Sequence, residues 1–226
     1  MTSPCKPGER PAGRHDLVFV SPDGWRTMLD LHGDLGCDPL VAHWAELGWP
    51  TIRRRALPCE TAGLALGLPL PPSAGKKRLA FLAGLDDIVA VARPPSLKKA
   101  RASAPPHWRM TLDHLDELAL RHSAHARVFG SLAWETLTGL DYVTAGSDLD
   151  LLLETSPETD LDRLVADLAA IESQAPMRLD GELMRAEGAA VNWREFQAGA
   201  SEILVKSIEG VTLRDRGDFI SGVTRS

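Results

Sequence analysis

The feature that most constrains this chain is a pair of aspartates in a run of leucines, Asp148-Leu149-Asp150-Leu151-Leu152-Leu153. The run predicts a strand, in which side chains two residues apart point to the same face. Asp148 and Asp150 are therefore expected on one face, with Cα atoms roughly 6.5–7 Å apart. Two like charges at this spacing repel each other and lose solvation, and a divalent cation would neutralise both. Mg²⁺ fits best, because it takes hard oxygen ligands, commonly one or two carboxylates together with substrate phosphates.

A second motif, Gly130-Ser131, lies at the end of a predicted strand and opens a predicted helix. Backbone N–H groups at a helix N-terminus bind anions, and a glycine lets a phosphate approach the backbone closely. Taken alone, an Asp-x-Asp is commonly a surface carboxylate pair and a Gly-Ser is a turn. A phosphate site beside a carboxylate pair, however, is the arrangement needed for metal-assisted phosphoryl or nucleotidyl transfer.

The length of 226 residues allows one large domain or two small ones. The 44% apolar and 25% charged residues are typical of a folded globular chain, not of a disordered or fibrous one. No apolar run is long enough to span a membrane, and Met1–Arg14 lacks the apolar core of a secretory signal. Cys5, Cys37 and Cys59 form no Cys-x-x-Cys pair and are interpreted as reduced thiols. We therefore expect a cytoplasmic protein with no membrane partner.

Prolines suggest where the chain divides. Pro94-Pro95 and Pro105 bracket a polar, cationic stretch, Ser96–Ala104, which predicts a linker or mobile loop. We place the boundary near residue 105. Residues 1–105 then form a smaller β-rich domain, in which Ser21-Pro22-Asp23-Gly24 predicts a turn. Residues 106–226 form an α/β or α+β domain with a mixed sheet and flanking helices.

The two predicted domains differ in charge. The chain has a net charge of −6, divided into +4 over residues 1–105 and −10 over residues 106–226. A basic half suits phosphates or an acidic partner, and an acidic half suits cations. This balance does not indicate a nucleic-acid-binding protein.

Together the motifs resemble the signature of the nucleotidyltransferase fold, the DNA polymerase β superfamily, in which Gly-Ser precedes Asp-x-Asp. The longer blocks Arg127–Tyr142 and Gly146–Leu151 resemble the malonate decarboxylase holo-[acyl-carrier-protein] synthases, also called phosphoribosyl-dephospho-CoA transferases. The 16-residue spacer between Ser131 and Asp148 favours this family over the wider superfamily. Further similar segments extend the resemblance over most of the chain: Arg14–Leu17, Gly67–Arg78, Val191–Glu195 and Leu204–Lys206.

The resemblance implies a polymerase β-like catalytic domain and a reaction. Members of this family transfer 2′-(5″-phosphoribosyl)-3′-dephospho-CoA from its triphosphate precursor to a serine of the apo acyl-carrier subunit of malonate decarboxylase, and pyrophosphate leaves. The resemblance also implies that Asp148 and Asp150 are essential. We expect these two carboxylates to hold Mg²⁺ on the triphosphate, as two ions that Mn²⁺ can replace, and Gly130 and Ser131 to bind its β- and γ-phosphates.

Two further site residues are predicted with alternatives. Superfamily members usually add a third carboxylate on a neighbouring strand, which helps to bind the second metal or accepts the serine proton. Asp180 is our choice for this residue, and Glu182, two positions on, is the alternative. Lys206, in a predicted apolar strand, is expected to bind phosphate or neutralise the acidic cluster, although a structural salt bridge is an equal alternative.

Other basic groups carry weaker predictions. Arg53 and Arg55 are expected to share a strand face, where they hold the CoA phosphates, dock an acidic carrier or simply face solvent. Lys76-Lys77-Arg78 predicts a basic hairpin turn. Two other functions stay open: a transferase of the same fold that adenylylates another acceptor with ATP, and an inactive module that binds a nucleotide or a partner.

Overall fold

The computed structural model describes residues 12–32 and 38–222. The chain divides into two compact units, and the division falls between Pro94 and Pro95. The first unit is built on an antiparallel sheet and the second on a mixed sheet with helices. This confirms an α+β chain with a mixed C-terminal sheet.

Over residues 12–32 and 38–94, the first unit contains five strands and two α-helices. These are β1 Leu17–Val20, α1 Pro22–Leu31, α2 Pro39–Glu46, β2 Thr51–Arg53, β3 Leu64–Pro69, β4 Arg78–Ala83 and β5 Ile88–Ala92. The strands pair in the order β4-β3-β2-β1-β5, with every neighbour antiparallel. The bulkiest buried side chains include Trp25 and Met28 of α1, Trp44 of α2 and Phe81 of β4, so the helices close over the sheet.

The start of α1 corrects one prediction. Ser21-Pro22-Asp23-Gly24, interpreted as a turn, is the N-terminus of a helix. The Ser21 hydroxyl accepts a hydrogen bond from the Gly24 N–H at 3.0 Å, and Pro22 takes the first helical position. A Cβ at position 24 would lie 2.6 Å from the Cβ of Asp87, so the glycine allows the helix to pack closely. Turn and helix-start signals share these residue types, which is why the turn prediction was wrong.

The second unit contains six strands and six α-helices within the described residues. These are α3 Leu97–Ala100, α4 Arg109–Arg121, β6 His125–Val128, α5 Gly130–Thr138, β7 Leu149–Glu154, α6 Leu161–Glu172, β8 Leu179–Met184, β9 Ala190–Asn192, α7 Trp193–Gln197, β10 Glu202–Lys206, β11 Val211–Asp215 and α8 Arg216–Ser221. The strand order is β11-β10-β9-β8-β7-β6. Strands β7 and β8 pair in parallel, and the other neighbours pair antiparallel.

The segment predicted to be a linker belongs to the core of the second unit. Leu97, Ala100 and Ala104 are buried in that core, so the predicted boundary near residue 105 lies too far along the chain. The cationic side chains that suggested a linker pair with carboxylates of α4. Arg101 contacts one carboxylate at 2.7 Å and Lys98 contacts another at 3.6 Å.

The core lies on one face of the second sheet. Leu149, Leu151 and Leu153 of β7 are fully buried there, within the same cluster as apolar residues of α4 and α6. Because strand side chains alternate between faces, Asp150 points to the opposite face. The sheet therefore presents its carboxylates on the face away from this core.

Two expectations from composition can also be compared with the structure. Among the residues described, no helix is both long and apolar enough to cross a bilayer. Cys59 is an exposed free thiol. Cys5 and Cys37 lie outside the described residues.

Candidate active site

The two sequence motifs meet at the turn between β6 and α5. The Phe129 N–H donates to the Asp150 carbonyl oxygen at 3.0 Å, which continues the pairing with β7 up to the helix. The chain then turns at Gly130, whose φ is +60°. A Cβ at this position would lie 1.8 Å from Oδ2 of Asp150. Glycine is thus required here twice, by the left-handed backbone and by contact with the carboxylate.

The N-terminus of α5 is oriented toward this contact. Phe129 occupies the N-cap position and makes no side-chain capping hydrogen bond. The first N–H groups of a helix have no partner within the helix, and together with the helix dipole they attract anions. Gly130 and Ser131, both partly exposed, are the first two residues of the helix, and their binding of phosphate stays a prediction.

Asp148 lies immediately before β7, which begins at Leu149 and not, as predicted, at residue 148. Its side chain is 43% exposed, and its Oδ2 lies 3.9 Å from Nη1 of Arg178. The Arg178 carbonyl accepts a hydrogen bond from the Leu149 N–H at 2.9 Å, so the backbones of both charged residues are held at neighbouring strand starts. Asp148 is therefore accessible and has a cation beside it.

Asp180 is the register partner of Asp150 in the parallel pair β7–β8. Neighbouring strands lie about 4.8 Å apart, and residues in register point to the same face, so the two carboxylates share a surface. The side-chain amide of Asn192 donates to Oδ1 of Asp180 at 3.2 Å. The amide oxygen of Asn192 accepts from the Arg194 N–H at 2.9 Å, which fixes the orientation of the amide group.

Glu182 is in a different environment from Asp180. It is only 7% exposed, and its Oε1 lies 3.1 Å from Nζ of Lys206. Lys206 therefore forms a salt bridge, one of its two predicted roles, and its binding of phosphate stays a prediction. Because the Glu182 charge is neutralised within the protein, the geometry favours Asp180 as the third carboxylate.

Side chains from α6 and α7 hold the first residues of β8. Glu172 Oε1 accepts the Leu179 N–H at 2.8 Å, and the Trp193 indole donates to the Leu179 carbonyl at 3.0 Å. A Cβ at Gly181 would lie 2.8 Å from Cδ1 of Trp193, so the absence of a side chain lets the indole pack against the strand. These contacts position Asp180 from both sides.

The loop before Asp148 is held by a residue of α5. Oε2 of Glu135 accepts N–H groups from Tyr142 and Val143, at 3.0 and 2.8 Å. The Tyr142 side chain is buried, and this burial raises the pKa of its hydroxyl. The same short helix thus presents an anion site at its start and fixes the loop that leads to Asp148.

Sequence reasoning missed three residues of this arrangement, namely Glu135, Arg178 and Asn192. Glu135 and Asn192 lie in segments that carry the family resemblance, but the resemblance did not indicate what either residue does. Arg178 had no such signal, because its position beside Asp148 depends on the pairing of β7 with β8.

The donor set fits Mg²⁺ only in part without a substrate. Across residues 12–32 and 38–222, no group of three His, Cys, Asp or Glu side chains converges closely enough to hold a metal. Mg²⁺ usually takes one or two carboxylates and completes its shell with water and substrate phosphates. Asp148, Asp150 and Asp180 offer such hard oxygen atoms next to a helix N-terminus suited to phosphate, so they fit a metal that arrives with a polyphosphate.

The basic groups of the first unit have mainly structural partners. Nη1 of Arg53 donates to the Ala65 carbonyl at 3.1 Å, and partial burial lowers the pKa of Arg53. Arg55 lies beyond β2 and is exposed. Roles for Arg53 and Arg55 in binding CoA phosphates or a carrier stay predictions. The basic turn predicted at Lys76 is confirmed, since Gly75 and Lys76 have φ values of +80° and +54° between β3 and β4.

Comparison with known proteins identifies the family. A model described as "Phosphoribosyl-dephospho-CoA transferase MdcG C-terminal domain" matches residues 96–217, and the corresponding N-terminal domain model matches residues 13–94. The chain belongs to the phosphoribosyl-dephospho-CoA transferase family. This confirms the predicted family and the predicted transferase activity. The two matched regions also meet where the two compact units divide.

Curated phosphoribosyl-dephospho-CoA transferases are similar over most of their length. The protein from Bradyrhizobium diazoefficiens is 70% identical over 226 residues, which is 100% of both chains. That from Xanthomonas euvesicatoria pv. vesicatoria is 39% identical over 91% of this chain and 95% of its own. That from Pseudomonas putida is 34% identical over 74% of this chain and 78% of its own. No solved structure matches.

Proposed function

We propose that this transferase moves 2′-(5″-phosphoribosyl)-3′-dephospho-CoA from its triphosphate precursor to a serine of the apo acyl-carrier subunit of malonate decarboxylase. We assign to the second unit a polymerase β-like nucleotidyltransferase fold and the catalytic steps. We assign to the first unit the contact with the donor or the carrier. The observation that carries the proposal is the contact of Gly130 with Asp150, with Asp180 in register beside it.

The reaction is a displacement at the phosphorus nearest the ribose. The serine Oγ forms a bond to this α-phosphorus, and the bond from it to the bridging oxygen breaks. Pyrophosphate leaves with the electron pair of that bond, and the serine proton passes to a base. The carrier keeps a phosphodiester-linked group, so no oxidant or further reactant is needed.

Residues of the chain would bind and orient the donor. The N–H groups at the start of α5, that of Gly130 among them, and the Ser131 hydroxyl would bind the β- and γ-phosphates. Asp148, Asp150 and Asp180 would hold Mg²⁺, which when bound polarises the phosphoryl oxygens and offsets the charge that develops on the leaving group. Mn²⁺ would replace it, since it also prefers oxygen ligands.

Asp180 would also serve as the base for the serine proton. Asn192 donates to its Oδ1, which orients the carboxylate and leaves Oδ2 for the acceptor hydroxyl. The alternative carboxylate, Glu182, is paired with Lys206 and is mostly buried, which makes it a poorer base for an incoming protein.

The test combines the purified protein with Mg²⁺, the apo carrier subunit and the donor triphosphate. We expect the carrier to gain the mass of the phosphoribosyl-dephospho-CoA group and one pyrophosphate to appear per carrier. ATP is the competing donor, and Asp150→Asn is the inactive control. Transfer from ATP alone would contradict the proposed donor. Absence of transfer from either donor would favour a binding module.

A further inference from the structure

The direction from which the acceptor enters can be deduced from the order of the strands, given the proposed function. Strand β7, which carries Asp150, has β6 on one side and β8 on the other. Helix α5 follows β6 directly, so the leaving pyrophosphate would lie on the β6 side. In an in-line displacement the nucleophile and the leaving group lie on opposite sides of the phosphorus. The serine of the carrier must therefore approach from the side of β8 to β11.

The sheet on that side carries exposed apolar residues. Ile203 and Val205 of β10 are buried in the core, with exposures of 0% and 2%. On the other face three large apolar residues are open to solvent: Leu204 is 46%, Val211 50% and Leu213 57% exposed. Three charged residues, Glu202, Lys206 and Asp215, lie on the same face beside them. Leu204 and Leu213 are cross-strand partners, so the three apolar residues form one patch on the hairpin β10–β11.

This patch lies on the same face as the candidate active site. Lys206 of β10 pairs with Ala190 of β9, which in turn pairs with Met184 of β8. Nζ of Lys206 reaches Glu182, which is two positions from Asp180, so all of these side chains lie on one face of the sheet. Leu204 is two positions from Lys206 and so points the same way. It lies two strands from β8, or about 10 Å at ~4.8 Å per strand. A protein resting on the patch would be close enough to insert a serine at the carboxylates.

Arg178 is an exposed cation immediately before β8, two residues before Asp180. Its side chain is 60% exposed and lies beside Asp148, at 3.9 Å between Nη1 and Oδ2. A metal held by Asp148 would offset the carboxylate charge that lies beside the guanidinium. An acidic group on the incoming acceptor would then be its natural partner.

We propose that Arg178, Leu204, Val211 and Leu213 form an acceptor surface that docks the apo carrier protein. Apolar side chains near the carrier's acceptor serine would cover the three aliphatic residues, and a carboxylate of the carrier would pair with Arg178. Exposed apolar patches beside a catalytic site are typical of protein contact surfaces, and charged residues at their edge favour correct orientation.

The test measures binding without turnover. A carrier whose acceptor serine is replaced by alanine is titrated into the protein with Mg²⁺ and donor triphosphate, by calorimetry. The double substitution Leu204→Asn and Leu213→Asn should weaken carrier affinity at least ~10-fold. The reason is that two apolar side chains that the carrier would bury on binding are replaced by polar ones. Leu120→Asn is the matched control, since Leu120 of α4 is 70% exposed in the same unit, and it should change carrier affinity less than ~2-fold.

The role of Arg178 is tested through salt dependence. Arg178→Gln should weaken carrier binding ~3–10-fold at low salt and reduce its dependence on ionic strength, and Arg178→Lys should restore that dependence. Donor binding, measured without carrier, should be unchanged in the leucine variants, and their melting temperatures should match that of the control.

Several results would overturn the acceptor surface. Unchanged carrier affinity in the double variant would overturn it. A loss of donor affinity as large as the loss of carrier affinity would also overturn it, because it would indicate damage to the active site. A change in the oligomeric state on size-exclusion chromatography, with carrier affinity intact, would show a contact between copies of this chain. If the wild-type protein binds neither donor nor carrier, the proposed function itself fails, which is a distinct outcome.

Discussion

Gly130→Ala isolates the contact on which the site is built. The added Cβ would lie 1.8 Å from Oδ2 of Asp150 and 3.0 Å from its Cβ. Packed atoms do not approach this closely, so the carboxylate must retreat by more than ~1 Å or the helix start must shift. Either change moves the carboxylate relative to the phosphate site.

The expected magnitudes differ for stability and for activity. An alanine at φ +60° costs about 1–2 kcal/mol, which for a chain of this size lowers the melting temperature by roughly 2–8 °C. A displacement of ~1 Å in a catalytic group costs on the order of 10²-fold in rate. Gly139→Ala is the matched control, because Gly139 ends the same helix at φ +74° and its Cβ would meet nothing within 4 Å.

Two assays compare the variants, namely differential scanning calorimetry and pyrophosphate release with the apo carrier. We expect Gly130→Ala to lose at least as much melting temperature as Gly139→Ala, and we expect a ~10²-fold loss of turnover in Gly130→Ala alone. If Gly130→Ala turned over within a few-fold of Gly139→Ala, the close contact with Asp150 would have no part in catalysis.

Three further predictions follow from the same structure. Asp180→Asn should lower turnover by ~10²–10⁴-fold while leaving the urea midpoint nearly unchanged, and retention of most of the turnover would exclude Asp180 as base or metal ligand. Lys206→Met leaves the buried Glu182 carboxylate without its 3.1 Å partner. Because Lys206 is 38% exposed and solvent screens the pair, we expect a loss of only ~1–3 kcal/mol in the free energy of unfolding by urea. Adding Glu182→Gln should recover most of this loss, and the absence of any recovery would contradict the pairing. Hydrogen bonds from Arg54 lower the pKa of Glu60 to about 2, below its unfolded value of ~4.3. The stability that this pair contributes is therefore present above pH ~4.3 and lost as pH falls toward 2. Glu60→Gln should make the urea midpoint depend less on pH between pH 6 and 3. The same pH dependence in the variant and the wild type would refute the linkage.

The parts of the site that depend on local pattern could be predicted from the sequence. Gly130-Ser131 and Asp148-Leu149-Asp150 are short local motifs, which predicted a phosphate site beside a pair of carboxylates. The contact between Gly130 and Asp150 agrees with that prediction.

The parts that depend on pairing between distant strands could not be predicted. Asp180 and Glu182 lie two positions apart in β8, so the sequence alone predicts both on the same face. They are distinguished only by the register of Asp180 with Asp150 and by the salt bridge of Glu182 with Lys206. The position of Arg178 beside Asp148 likewise depends on which residues of β7 and β8 lie opposite each other.

Two errors in the fold have a common physical origin. Ser21-Pro22 is compatible with both a turn and a capped helix, and the outcome depends on what the apolar residues that follow can pack against. Ser96–Ala104 looks polar, yet Leu97, Ala100 and Ala104 fall on one helical face and are buried. In both segments tertiary packing, which local composition does not show, decided the structure.

The central claim is that Asp148 and Asp150 hold a metal on the donor triphosphate. The most direct measurement is a crystal structure with the donor and Mn²⁺, in which anomalous scattering locates the metal. We expect a Mn²⁺ peak in contact with both carboxylates and a donor phosphate, with the terminal phosphates at the N-terminus of α5. A bound triphosphate whose metal lies away from these aspartates would contradict the account.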